Sequence, residues 1–147
     1  MKKALSIKGL IKSFSYAIDG FKSSFKEEAN MKIHIFMAIL VIICGFLFRV
    51  SRLEWIFLLF AIGLVIGAEL LNTGIENLVD LVCKEKNNKA GLIKDVSAAF
   101  VMVLAIVSAI VGLIIFIPKL LCILGVWYYV WKFKNDYQEL LQPFIKI

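Results

Sequence analysis

Three long apolar runs dominate this sequence and limit what the chain can fold into. Residues 33–48, 55–68 and 96–117 contain no Asp, Glu, Lys or Arg. A helix needs about 20 mostly apolar residues to cross the roughly 30 Å hydrocarbon core of a bilayer, and each run reaches that length with its flanks. The sequence therefore predicts an all-α integral membrane protein with three transmembrane helices, over residues 33–48, 53–82 and 96–117.

An amphipathic segment precedes the first of these runs. Between residues 5 and 26, most lysines lie off an apolar stripe with helical spacing, formed by Ile7, Leu10, Ile11, Phe14, Ala17, Ile18, Phe21 and Phe25. This pattern is typical of a helix that lies on the membrane surface with its apolar face down. A generic membrane anchor would show the same pattern.

The C-terminal segment is predicted to be separate from the rest. Pro118 should stop the third span, so residues 1–118 form one domain and residues 119–147 an apolar and aromatic extension of unassigned role. Within the extension, residues 120–131 include Trp127, Tyr128, Tyr129 and Trp131. Twelve residues are few for crossing a bilayer, so we expect an interfacial aromatic belt. A strained fourth span is the alternative.

The distribution of basic residues predicts the orientation. Seven lysines precede the first span and four lie between residues 83 and 95, whereas the short loop after the first span contains only Arg49 and Arg52. The positive-inside rule then places the N-terminus and the 83–95 loop in the cytoplasm. The formal net charge of +6 fits an anionic membrane surface and anionic substrates. We expect no nucleic-acid partner, because no aromatic side chains interleave a basic patch.

Polar residues cluster at the cytoplasmic end of the second span. Glu69, Asn72, Thr73, Glu76 and Asp80 fall in one helical stripe roughly 100° wide. A carboxylate beside lipid is costly, so such a cluster is a functional site by default. A structural polar network that joins helices is the alternative.

Phosphoryl transfer would use carboxylates of this kind. It needs a metal to hold nucleotide phosphates and a group that orients or deprotonates the acceptor. Glu69 lies at the apolar boundary and suits a general base, whereas Glu76 lies nearer water and suits Mg²⁺. Asn72 could bond substrate or a neighbouring helix, and we expect Thr73 to serve packing.

Residues outside the stripe could complete such a site. Glu27 and Glu28 precede the first span, where one of them could reach the same cytoplasmic site or remain an ordinary solvated charge. Lys94 suits a phosphate. Asp95 suits either a nucleotide contact or the N-cap of the third span.

The polar cluster also carries a family resemblance. The run from Glu69 to Asp80, with Asn72, Thr73 and Glu76, closely resembles the signature of the small bacterial integral-membrane kinases, which include diacylglycerol kinase and undecaprenol kinase. The resemblance extends over residues 5–118. It implies ATP-dependent phosphorylation of a primary hydroxyl on a membrane lipid, in the bacterial cell membrane. It also implies a homotrimer of three-span subunits with active sites at the cytoplasmic interface.

The resemblance implies specific residue roles. Glu69 would be the catalytic base, Glu28 and Glu76 would bind Mg²⁺, and Asn72 would support the site. The nucleotide contacts would come from Lys94, Asp95, Glu85 and Tyr16. Asn87 and Asp19 depart from the family pattern, which commonly has histidine and a basic residue at these positions.

The acceptor lipid is predicted from the start of the first span. Residues 27–34 look more like the Gram-positive branch, whose typical acceptor is undecaprenol, with diacylglycerol as the alternative. Two other classes stay open, a small ion-transport component and a lipid phosphatase. A transporter would usually carry polar residues at the bilayer midplane and repeated spans, and neither is visible here.

Overall fold

The computed structural model describes residues 7–123, 125, 128, 129 and 131–133. This part of the chain contains four long α-helices, α1 (Ile7–Glu27), α2 (Ala29–Leu47), α3 (Arg52–Val82) and α4 (Asn88–Ile123). By length and composition, α2, α3 and α4 can each cross a membrane. The predicted all-α architecture, an N-terminal helix followed by three apolar spans, is confirmed.

Glu28 is the one residue that separates α1 from α2. Its backbone is extended, with φ −94° and ψ 124°, while its N–H still donates to the Ser24 carbonyl at 2.9 Å. The chain therefore turns from α1 into α2 without a loop. Glu28 is the N-cap of α2, yet its side chain forms no capping bond, so the carboxylate can face other elements.

A capping box starts α3. The Ser51 hydroxyl accepts from the Glu54 N–H at 3.3 Å, and the Glu54 carboxylate accepts from the Ser51 N–H at 2.6 Å, which satisfies two of the free N–H groups at the helix start. Glu54 also pairs with Lys119 near the end of α4, with 3.0 Å between Oε2 and Nζ. This ion pair holds the start of α3 against the end of α4, so the two helices are antiparallel.

A second ion pair, between Asp80 and Lys94, joins these helices at their other ends. Glu54 and Asp80 are 26 residues apart on α3, and Lys94 and Lys119 are 25 residues apart on α4. At 1.5 Å per residue both intervals measure about 38 Å, somewhat more than the roughly 30 Å hydrocarbon core. The matched intervals let both ion pairs lie outside the hydrocarbon.

Pro118 does not stop the third span, contrary to the sequence prediction, since α4 runs through it to Ile123. Proline removes one backbone hydrogen bond, but a membrane helix can continue because its other bonds stay satisfied within the helix. Gly125 lies just beyond the end of α4; its φ is +70° and its N–H donates to the Cys122 carbonyl at 3.2 Å. Such a left-handed residue commonly follows a helix C-terminus.

The aromatic extension is described only in part. Tyr128, Tyr129 and Trp131 are exposed, and the two tyrosine rings pack edge to face with centroids 5.7 Å apart. Trp127 lies outside the described residues. The aromatic belt and the fourth span both stay predictions.

The core is small and centred on α3, which contacts the other three helices. Val50, Leu58 and Ile115 form its buried cluster, with Trp55 packed against them. Most other large apolar side chains on the spans are exposed, as expected for surfaces that face lipid or other subunits.

Among the described glycines, Gly45 is the one packed closely against a side chain, and we predict that Gly45→Ala destabilises the protein. An added Cβ would lie 2.6 Å from the Trp55 ring, and overpacking of this kind costs about 1–3 kcal/mol. Thermal unfolding in detergent measures the effect. Gly112→Ala is the matched control, because nothing lies within 4 Å of its Cβ position. Equal melting temperatures for the two variants would contradict the predicted clash.

Candidate active site

The polar stripe of α3 is graded from buried to exposed. Glu69, Asn72 and Thr73 are buried, with Glu69 only 1% exposed, whereas Glu76 is half-buried and Asp80 is exposed. The stripe thus runs from the apolar interior of the helix bundle to the end where α3 meets the 83–87 loop. A lipid headgroup and a water-soluble co-substrate could meet along such a gradient.

At the inner part of the stripe, Glu69 lies within range of the charges of two other carboxylates. The charges of Glu28 and Glu76 both act on the Glu69 carboxylate. Glu28 reaches this position because it occupies the break between α1 and α2, where its side chain is half-buried. The residues predicted as base and metal ligands therefore lie together. Their mutual repulsion favours a cation at this point.

Asn72 is held between two partners. Its amide nitrogen donates to Glu76 Oε1 at 2.9 Å, and its carbonyl oxygen accepts from the Ser97 hydroxyl at 2.6 Å. The sequence left open whether Asn72 bonds substrate or a neighbouring helix. In this structure it bonds α4 through Ser97, and it also contacts a carboxylate of the cluster.

Thr73 joins the cluster to α1. Its hydroxyl donates to the Glu69 carbonyl at 3.0 Å and lies 3.1 Å from the Ser24 hydroxyl. Thr73 has one hydroxyl hydrogen, so Ser24 is the donor in the second bond. Ser24 is the one buried residue of α1, and this bond holds the helix against α3. The predicted packing role of Thr73 agrees with these contacts.

The basic partner of the site comes from α4. Lys94 pairs with Asp80, and its charge also interacts with Glu76. Asp95 is exposed and lies seven residues after the start of α4. The N-cap interpretation of Asp95 is therefore wrong, because α4 begins two turns earlier than the predicted span, and the nucleotide contact stays a prediction.

The other two predicted nucleotide residues have surroundings of their own. Glu85 lines an open pocket of about 420 Å³ formed by residues 82–87. Tyr16 is exposed on α1, with the Lys12 ammonium 5.7 Å from its ring centroid. Among the described residues, no hydrogen bond or ion pair joins either side chain to the carboxylates.

The carboxylates do not form a metal site by themselves, but they fit a site that is shared with nucleotide phosphates. Within the described residues, no three or more His, Cys, Asp or Glu side chains are placed to hold a metal ion by themselves. Mg²⁺ that travels with nucleotide phosphates needs only one or two protein carboxylates, since waters and phosphate oxygens supply the rest. Glu28 and Glu76 fit this second arrangement.

An apolar groove of about 520 Å³ opens beside the cluster. Its walls come from α3 and α4, with Asn72 and Ser97 as the polar residues among Leu71, Ile75, Leu92, Ile93, Val96 and Phe100. Hydrocarbon surface therefore lies directly next to the polar stripe, as a site for a lipid with a polar headgroup requires.

Known proteins have sequences similar to this one. A family model described as prokaryotic diacylglycerol kinase matches residues 15–116. The chain belongs to the prokaryotic diacylglycerol kinase family. It is similar to the undecaprenol kinase of Bacillus subtilis (strain 168), at 42% identity over 109 residues, 74% of this chain and 89% of that protein. It is also similar to the diacylglycerol kinase of Haemophilus influenzae, at 33% identity over 117 residues, 79% of this chain and 99% of that protein.

Membership in this kinase family decides between the functional classes that the sequence left open. The chain is a multi-pass membrane lipid kinase, and ATP is the co-substrate that a kinase implies. The ion-transport and phosphatase alternatives are set aside.

Two hydroxyls of this kinase were missing from the sequence prediction, Ser24 and Ser97. Ser97 had a detectable signal, since it is the only polar residue between Asp95 and Ser108. A lone hydroxyl just inside an apolar span often bonds a neighbouring helix. Ser24 had no such signal, because several serines lie along α1.

We predict that Ser24→Ala loosens α1 from α3. The variant removes the hydrogen bond to Thr73, worth about 0.5–1.5 kcal/mol, so amide exchange in the last turns of α1 should become faster. Ser23→Ala is the matched control, because Ser23 is exposed and its hydroxyl donates to Glu27 on the same helix, with no other side-chain bond among the described residues. Equal exchange rates in the two variants would show that the buried bond does not hold α1.

Proposed function

We propose that this kinase transfers the γ-phosphate of ATP to the primary hydroxyl of undecaprenol, with diacylglycerol as the alternative acceptor. The observation that carries the proposal is a buried carboxylate, Glu69, within range of the charges of Glu28 and Glu76. The similarity to an undecaprenol kinase at 42% identity, against 33% for a diacylglycerol kinase, favours the polyprenol. The apolar groove beside Asn72 offers hydrocarbon surface to either lipid.

Glu69 acts as the general base in this proposal. It lies at the buried end of the stripe, at the depth where a lipid headgroup would present its hydroxyl. Its carboxylate takes the hydroxyl proton while the lipid oxygen forms the new bond to the γ-phosphorus. The bond between that phosphorus and the β,γ-bridging oxygen breaks, and ADP leaves. Burial keeps water, a competing acceptor, away from the reacting oxygen.

Glu28 and Glu76 hold the metal in this proposal. Mg²⁺, when bound, neutralises charge on the phosphates during transfer. Asn72 supports Glu76 through its hydrogen bond. Lys94 and Asp95 contact the nucleotide, with Glu85 and Tyr16 as further contacts. Lys94 is suited to this role because its ammonium already lies near Glu76.

The assembly and location follow the family resemblance. We propose a homotrimer, in which the exposed apolar faces of the spans contact other subunits and lipid. The catalytic unit is residues 1–118, a range close to the 15–116 match. The lysine-rich N-terminus and 83–95 loop favour a cytoplasmic active site.

One assay tests the acceptor. Purified protein in detergent receives γ-labelled ATP and Mg²⁺ with undecaprenol or diacylglycerol in separate reactions, at matched mole fractions. We expect preferential labelling of undecaprenol. Preferential labelling of diacylglycerol would establish the alternative, and labelling of neither lipid would contradict the proposed function.

Glu69→Gln should lower turnover by about 10²–10⁴-fold, the usual contribution of a general base, while ATP binding changes little. Glu27→Gln is the matched control, because it makes the same change at an exposed carboxylate that accepts a hydrogen bond from Ser23 on its own helix. Initial rates with saturating substrates measure the effect. Turnover of Glu69→Gln within threefold of the control would remove Glu69 from the role of base.

Glu28→Gln and Glu76→Gln should each raise the Mg²⁺ concentration needed for half-maximal activity. Each removes one of two carboxylates proposed to hold the ion, and the remaining ligands bind it more weakly. Magnesium titrations at fixed ATP measure this. Unchanged titration curves in both variants would contradict the metal assignment.

A further inference from the structure

A chain of hydrogen bonds leads from α4 to the proposed metal site. The Ser97 hydroxyl bonds the Asn72 amide, and the Asn72 amide bonds the Glu76 carboxylate. We propose that Ser97 is a positioning residue, which orients the Asn72 amide and thereby fixes the Glu76 carboxylate for metal binding. This inference rests on the proposed function of Glu76.

The chemistry of the three groups allows only one order of donors and acceptors along these hydrogen bonds. An ionised carboxylate only accepts hydrogen bonds, so the NH₂ group of Asn72 must face Glu76. The amide oxygen must then face Ser97, which can satisfy it only by donating its single hydroxyl hydrogen. Each group is therefore oriented by the next, and Ser97 is the first donor.

Burial makes the orientation depend on this donor. Asn72 is 6% exposed and Ser97 is 8% exposed, so water has little access to either group. The Lys94 carbonyl also lies 2.9 Å from the Ser97 hydroxyl, but one hydrogen cannot serve both acceptors at full strength. The Asn72 oxygen has the shorter contact, at 2.6 Å.

Without the Ser97 hydroxyl, the Asn72 amide oxygen has lost the donor that holds it toward α4. It can then rotate, and the Glu76 carboxylate loses a fixed donor. Ser97→Ala should therefore weaken Mg²⁺ binding in the presence of nucleotide by about threefold to tenfold, the scale of one buried hydrogen bond. In this proposal Ser97 acts on the metal site through Asn72, so it is a positioning residue and not a catalytic residue.

The test is a binding measurement that needs no turnover. Mg²⁺ is titrated into the detergent-solubilised full chain with a fixed concentration of a non-hydrolysable ATP analogue, and the rise in melting temperature gives the half-saturating Mg²⁺ concentration. Ser108→Ala is the matched control. Ser108 also lies on α4 and donates to α3, at the Ala61 carbonyl 3.3 Å away, but it is three helical turns from Ser97.

A double-mutant cycle separates positioning from general destabilisation. Ser97→Ala should raise the half-saturating Mg²⁺ concentration in the wild-type background but not in Asn72→Ala, where the group that it orients is gone. Ser97→Thr, which keeps the hydroxyl, should restore most of the affinity. Ser108→Ala should leave the half-saturating concentration unchanged while lowering the melting temperature without ligand.

Three outcomes would overturn the inference. They are an unchanged Mg²⁺ titration in Ser97→Ala, an equal effect of Ser97→Ala with and without Asn72, and an equal effect of Ser108→Ala. Failure of the proposed function is distinguishable, because it would appear in the wild type as no Mg²⁺-dependent stabilisation by the nucleotide analogue and no lipid labelling.

Discussion

Glu69, Asn72 and Thr73 are buried, and they follow the apolar run 55–68 on the same helix. A buried polar group is costly unless it has a hydrogen-bond partner. That constraint governs how the other helices pack. Thr73 forms a hydrogen bond with Ser24 of α1, and Asn72 forms one with Ser97 of α4. The Glu69 carboxylate instead lies within range of the charges of Glu28 and Glu76. The stripe thus brings the helices together and concentrates negative charge at one point, where we propose that the metal and the nucleotide phosphates bind.

Charged side chains also pair with each other at both ends of the α3–α4 pair. Each end carries one ion pair, Glu54 with Lys119 and Asp80 with Lys94. Because the intervals on the two helices match, both pairs form together and fix the register of one helix along the other. Ser97 lies one turn from Lys94, so this register also brings its hydroxyl to Asn72. The geometry of the acidic cluster therefore depends on contacts along the whole pair.

Some features were predictable from particular residues. The three uncharged apolar runs, with their flanks, are long enough to cross a bilayer and so identify the three spans. The spacing from Glu69 to Asp80 places the polar groups on one face of a helix. Other features were not predictable. Hydropathy predicts that the third span starts at residue 96, whereas the helix begins at Asn88 in a polar stretch, so Asp95 lies inside the helix and does not cap it. Pro118 predicts a stop, but the proline removes one hydrogen bond and does not end this helix.

The sequence by itself determined the class of protein, the presence of three apolar spans and the identity of the polar face on α3, because these depend on local composition and helical period. The tertiary structure alone decided which side chains from other helices reach that face. Glu28 approaches Glu69 only because α1 turns into α2 at a single extended residue. Ser24 and Ser97 become partners of the stripe only through helix packing. Such contacts join residues far apart in the chain, and a local pattern that singles out a lone hydroxyl such as Ser97 does not say which residue it bonds.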